Sequence, residues 1–227
     1  MFFRFFRPFF FKRAFNLVEM TIVIAVISIL ITMTIVSKKF VTNARIKRAI
    51  TEISDIENGA RSFFDIYNAL PGDFEKATDF FDNAVNGDGD DRIEYANEVY
   101  NVMMHLNAAD LVMGNFQADE QNYAFRSNST VGTVIRLIYT GVLSGFVVNN
   151  INVMQLGRAN NADDASFLPY DAEYLDIKFD DSEPYSGKVT FREFGTTTAA
   201  SCTNNTEKYY VASEEVGCNI VIELDFI

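Results

Sequence analysis

The residues best suited to chemistry carry oxygen and are closely spaced. Asn86-Gly87-Asp88-Gly89-Asp90-Asp91-Arg92-Ile93-Glu94 sets oxygen side chains at alternate positions, glycines between them and an apolar residue at position eight. That is the first part of a calcium loop, where a hard cation collects about six to eight oxygens. The candidate ligands are Asn86, Asp88, Asp90, the Arg92 carbonyl, Glu94 and Glu98. Asp91 stands where such a loop usually has Gly, and Asn97 stands at position twelve with Glu98 one place later. The plainer reading is a solvated acidic turn, common in a chain of this charge. A cation held here would be structural, since no nucleophile and base stand nearby to aim at an open coordination position.

Catalytic spacings are absent elsewhere. His105 is the single histidine, with no Cys or Ser at a recognisable motif distance; carboxylates are plentiful but scattered, and no Gly-rich phosphate loop opens a helix. The chain therefore reads as no enzyme, and His105 as a packing residue. Cys202 and Cys218 both fall within the last 26 residues. Behind a membrane-targeting front end they suggest one disulfide in an oxidising compartment, the alternative being two buried thiols. Zinc is a poorer reading, since it wants four ligands and the only histidine is remote.

The 227 residues carry a formal charge of -12, and from residue 37 onward 15 basic residues face 30 acidic ones. A body that acidic repels phosphate backbones, so no nucleic-acid partner is expected. Asn128-Ser129-Thr130 has the Asn-x-Ser/Thr pattern, which leaves its modification open.

Seven of the 22 phenylalanines lie in the first eleven positions, interleaved with Arg4 and Arg7 and followed by Lys12 and Arg13. Residues 15–36 read FNLVEMTIVIAVISILITMTIV, with one ionisable group. As a helix they span about 33 Å, enough for the hydrocarbon layer. A secretory signal carries its cleavage site after a shorter apolar stretch; here the small residue, Ala14, precedes the stretch, so cutting there leaves the helix attached. Glu19 is the charge inside it, and a carboxylate in hydrocarbon costs about 2.5 kcal/mol or more at mid-membrane. It either snorkels to the interface or meets a partner. Lys38, Lys39, Arg45, Lys47 and Arg48 follow the span, leaving the positive-inside rule nearly balanced.

Beyond Ser37, Ile46, Ile50, Ile53, Ile56, Ala60, Phe63, Phe64 and Tyr67 draw one stripe down a helix that runs to about Asn68. Gly59 weakens it by about 1 kcal/mol relative to Ala and marks a candidate bend. Leu70-Pro71-Gly72-Asp73 is a turn, with Asp73 placed to cap a short helix from Phe74. A second helix is expected from Glu94 to Ala109, with Val99, Val102, Met103 and Leu106 on one face. Strands are expected at Asn122 to Arg126, Val134 to Tyr139, Phe146 to Asn149, Lys188 to Glu193, Lys208 to Val211 and Ile220 to Phe226. The class is α+β: a long N-terminal helix, membrane-spanning then amphipathic, packed on a head with short helices and a mainly antiparallel sheet. The expected divisions are a basic leader 1–14, a membrane or assembly half-helix 15–36, an amphipathic half-helix 37–70 and a globular head 71–227.

The stretch KRAFNLVEMTIVIAVISIL closely resembles the cleavage and methylation signal of type IV pilins and of the pseudopilins of type II secretion. Looser likenesses to a pilin-like subgroup lie in Leu70-Pro71-Gly72-Asp73-Phe74, the NGDGD loop, His105-Leu106, and Glu173 to Asp181 with Pro184 and Gly187. The resemblance implies that a prepilin peptidase cuts between Ala14 and Phe15, that the new Phe15 amine is methylated, and that Glu19 directs assembly by meeting the Phe15 amine of a neighbouring subunit. It further implies a subunit stored in the bacterial inner membrane with its head in the periplasm, handed by an assembly platform to a filament of itself or related pilins. The runner-up reading is an unprocessed single-pass membrane protein whose acidic head binds calcium or a protein partner.

Overall fold

The computed structural model describes residues 16–94, 98–113, 118–119, 124–127, 132–142, 144–159, 161–193 and 198–226. The chain divides into two compact units, Met1–Ala44 and Arg45–Ile227. Helix α1, Leu17–Tyr67, contributes to both.

In the first unit every described side chain of α1 from Leu17 to Met33 is exposed. The hydroxyls in this stretch return to their own helix: Thr21 donates to the Val18 carbonyl, Ser28 to Ile24, and Thr32 to Ser28 and Ile29. Among the described residues, no helix is long and apolar enough to cross a membrane. The expected membrane span thus finds no support in the described helix. The side chains of residues 34–40 lie outside the described set.

In the second unit α1 is amphipathic, as its spacing predicts. Ile46, Ala49, Ile53, Ile56, Ala60 and Phe63 are buried and recur every three or four residues. Gly59 marks no break in the helix. Its missing side chain admits Val112, whose Cγ2 a Cβ there would overlap. Phe63 is the aromatic centre of this half, 5.9 Å from Phe74 edge-on and stacked 5.8 Å from the His105 ring.

Short helices follow: α2 Ala77–Phe80, α3 Glu98–Ala108, α4 Pro169–Phe179 and α5 Ala199–Cys202. The strands are β1 Ala118–Asp119, β2 Ala124–Arg126, β3 Thr133–Tyr139, β4 Asn152–Arg158, β5 Val189–Phe191 and β6 Ile220–Glu223. They form one sheet in the order β1-β2-β3-β4-β6-β5 with every pairing antiparallel. The α+β class with an antiparallel sheet is therefore the observed one.

The expected strands coincide with β2, β3, β5 and β6. Phe146 makes only an isolated bridge to Arg192, and residues 208–211 form no strand; they lie between the paired Cys202 and Cys218, where the Tyr210 amide donates to the Cys202 carbonyl. The central strand β4 has no counterpart among the expectations. Asn152, Gln155 and Gly157 break its alternation, yet all three are buried. Gln155 donates to the Asn219 side chain at 2.8 Å and accepts from Arg136 at 2.9 Å, which satisfies it inside the sheet. At Gly157 a Cβ would run into the Ala162 carbonyl. Helix α4 also lay outside the expected helices; Pro169 opens it at its first turn, where a missing N–H costs nothing.

Candidate functional site

The acidic loop is organised by a residue outside it. Asp73, only 1% exposed, accepts from the Gly89 amide through Oδ1 at 2.6 Å and from the Asp91 amide through Oδ2 at 2.7 Å. The expected capping role for Asp73 is not what it performs: α2 begins at Ala77, and no side chain caps it. Gly72 precedes Asp73 with φ of 99°, a conformation that favours glycine, and its amide donates to His105 Nδ1 at 2.9 Å. His105 Nε2 then carries the proton and faces the Val85 carbonyl at 2.9 Å. The histidine staples the Pro71 turn, the start of the loop and α3 together, and burial holds its pKa below the ordinary value. It is a structural residue, as its sequence context suggests.

On the other side of the loop, Glu98 at the start of α3 accepts from the Asp88 amide at 3.2 Å and from the Glu94 amide at 2.8 Å. Asn152, from β4, closes the far end: its Oδ1 accepts from the Ile93 amide and its Nδ2 donates to the Asp91 carbonyl, each at 2.9 Å. Asp91 takes φ of 64°, so the position where a calcium loop usually has Gly adopts the conformation Gly would supply.

Three carboxylates converge. Asp73, Asp88 and Asp90 each present an oxygen within 4.8 Å of the others. Of the ligands expected from sequence, Asp88 and Asp90 are in this group. Asn86 is turned aside, its Oδ1 accepting from the Thr78 amide at 2.9 Å. Glu98, Glu94 and Arg92 are not among the converging groups. Arg92 lies 3.6 Å from Asp90 and 5.0 Å from the Tyr139 ring. Asn97 lies outside the described residues. Asp73 was invisible as a ligand because it is 15 positions upstream of Asp88 and its approach is a tertiary fact.

Burial pushes Asp73 up to about 6 and Glu98 up to about 7, against backbone amides that pull both down; neighbouring carboxylates add to the rise. Such a concentration of negative charge around a half-closed loop is chemistry that a divalent cation relieves. The donor set is all oxygen and fits a hard cation such as calcium.

A second acidic group, Asp176, Asp180 and Asp181, serves the turn after α4. Asp176 accepts from the Ser182 amide and the Tyr209 hydroxyl, Asp180 from the Lys188 and Val189 amides, and Asp181 from the Glu183 amide and the Ser186 hydroxyl. Every carboxylate here is used by the chain itself. Cys202 and Cys218 form a disulfide, both buried, with Cα atoms 4.9 Å apart.

At the other end of the chain, Glu19 lies in the first turn of α1, exposed and without a described partner. Ala14, Phe15 and Asn128 lie outside the described residues.

Compared with known proteins, the chain matches no protein-family model, no curated protein and no solved structure.

Proposed function

We propose that this chain is a structural subunit of a type IV pilus or a type II secretion pseudopilus, cut between Ala14 and Phe15 and assembled through α1. The observation that carries the reading is the division of labour along α1. Leu17–Met33 is exposed and apolar, with its hydroxyls satisfied within the helix and Glu19 alone among its ionisable groups, whereas from Ile46 to Phe63 one apolar face of the helix is buried in the core of the second unit. A helix of that first kind requires lipid or other helices around it. Glu19 requires a partner from outside its own chain, and the Phe15 amine of a neighbour is the economical one.

On this reading the subunit waits in the inner membrane with its head on the periplasmic side, and assembly exchanges lipid for helix contacts. Its partners are a prepilin peptidase, the assembly platform and copies of itself or related pilins. The acidic loop holds a structural calcium ion through Asp73, Asp88 and Asp90. The chain performs no catalysis.

The test is the mass of the mature N-terminus in protein taken from cells. N-methylated Phe15 is the expected result. Active protein that retains residues 1–14 overturns the reading in favour of an unprocessed single-pass membrane protein with an acidic binding domain.

A further inference from the structure

Two places in the sequence set an asparagine directly before a glycine, Asn58-Gly59 and Asn86-Gly87. Such an asparagine can close on its own backbone. The following amide nitrogen loses its proton and attacks the side-chain Cγ, ammonia leaves, and water reopens the cyclic imide at either of its carbonyls. The products are an ordinary aspartyl bond and an iso-linked one, whose main chain is one carbon longer. Glycine favours the closure because, without a Cβ, it lets its nitrogen turn towards Cγ. The ring forms only where that nitrogen and the side-chain amide are both free to move.

The two pairs differ in what holds them. Asn58-Gly59 lies inside α1, where the helical ladder directs the Gly59 amide to Asp55. Asn86-Gly87 lies on the acidic loop with Asn86 exposed, and two bonds from one short segment restrain it. The Gly87 amide donates to the Phe74 carbonyl at 3.0 Å, and Asn86 Oδ1 accepts from the Thr78 amide at 2.9 Å. Both the attacking nitrogen and the side chain under attack are therefore held by residues 74–78. Glycine is obligatory at 87, since a Cβ there would run into Asp73 Cα and the Gly72 carbonyl oxygen. The fold thus requires the labile pair and restrains it with the segment it packs against. The same closeness decides what the reaction does: an extra main-chain carbon at position 86 has no room against the Asp73 backbone, so an iso-linked loop does not close again.

We propose that Asn86-Gly87 is a self-modification site gated by the loop, intact while residues 74–78 hold it, converted through the cyclic imide when they part, and trapping the loop open once iso-linked.

The test is ageing of the detergent-solubilised full chain near neutral pH, with peptide mass mapping that separates the aspartyl and iso-linked products at position 86. Thr78→Pro is the variant. Proline has no amide to donate to Asn86 Oδ1, and position 78 lies in the first turn of α2, where proline is tolerated. Loss of that bond raises the open population, and the conversion rate with it, by about two- to ten-fold. Conversion of the variant at the wild-type rate overturns the proposal, as does wild-type chain converting as fast when folded as when unfolded in urea. Where proline disturbs the loop more widely, wild-type chain in urea below its unfolding transition decides. There the Asn86 rate should rise in step with hydrogen exchange of the Gly87 amide, and rates that move separately overturn the gating. Full protection of that amide in the iso-linked fraction overturns the trapping.

Discussion

Asp176 and Tyr209, 33 residues apart, meet in a buried hydrogen bond in which the Tyr209 hydroxyl donates to Asp176 Oδ2 at 2.9 Å. The contact ties the end of α4 to the loop closed by Cys202–Cys218. Asp176 is fully buried, and desolvation, with Asp181 and Asp180 adding repulsion, raises its carboxyl from 3.8 to about 6. The same surroundings push the Tyr209 hydroxyl far upward, so it stays a neutral donor.

The sign of the pH effect follows. A carboxyl whose folded pKa lies above its unfolded value binds protons more tightly when folded, so its stabilising contribution is fully present below about 3.8 and lost as pH rises through about 6. Acidification from neutral pH towards 4 therefore strengthens this part of the fold. Asp176→Asn should flatten that portion of the curve. Thermal unfolding of wild type and variant across this range checks it; parallel curves would show that Asp176 does not titrate in this window.

Calcium should raise the melting temperature of the detergent-solubilised chain, by about 2.7 kcal/mol of added stability when the ion is at a hundred-fold excess over its dissociation constant. Asp88→Asn should move the response to higher calcium concentrations, because the Asp88 side chain makes no described hydrogen bond and its loss disturbs the loop least. A midpoint indifferent to both calcium and chelator would remove the ion from the account.

Asn152 is the fold's hold on the loop. Asn152→Ala leaves the buried Ile93 amide without an acceptor and the Asp91 carbonyl without its donor, at a cost of about 1–3 kcal/mol. Urea unfolding measures this, and a loss well under 1 kcal/mol would mean that water replaces the amide. Weaker calcium binding should accompany the loss, since Asp91 lies between Asp90 and Arg92 in the part of the loop that Asn152 fixes.

Glu19→Ala should abolish or strongly reduce incorporation into filaments while leaving the melting of the second unit unchanged. Immunoblotting of sheared filaments against whole cells separates the two effects. Normal incorporation would reject the pairing of Glu19 with a neighbour's amine.

Periodicity made α1 legible. Ile46, Ile53, Ile56, Ala60 and Phe63 fall on one face by spacing alone, and that face is the buried one. The composition of strands β3 and β6, rich in branched aliphatics, made them visible too. β4 was hidden because its polar residues look like surface until Gln155 meets Arg136 and Asn219 across neighbouring strands. A gap at Gly157, filled by the Ala162 carbonyl, has no local signature at all.

By itself the sequence determined the acid-rich loop with Asp88 and Asp90, the paired cysteines and the apolar stretch containing Glu19, because these depend on residue type and short spacing. Only the tertiary structure decided that Asp73 completes the carboxylate group, that Glu98 and Asn152 clamp the loop by its backbone, and that Asn86 turns away. The physical reason is that a backbone amide carries no identity in the sequence. Which carboxylate or amide side chain satisfies it is settled by the chain's return to the same place from far away.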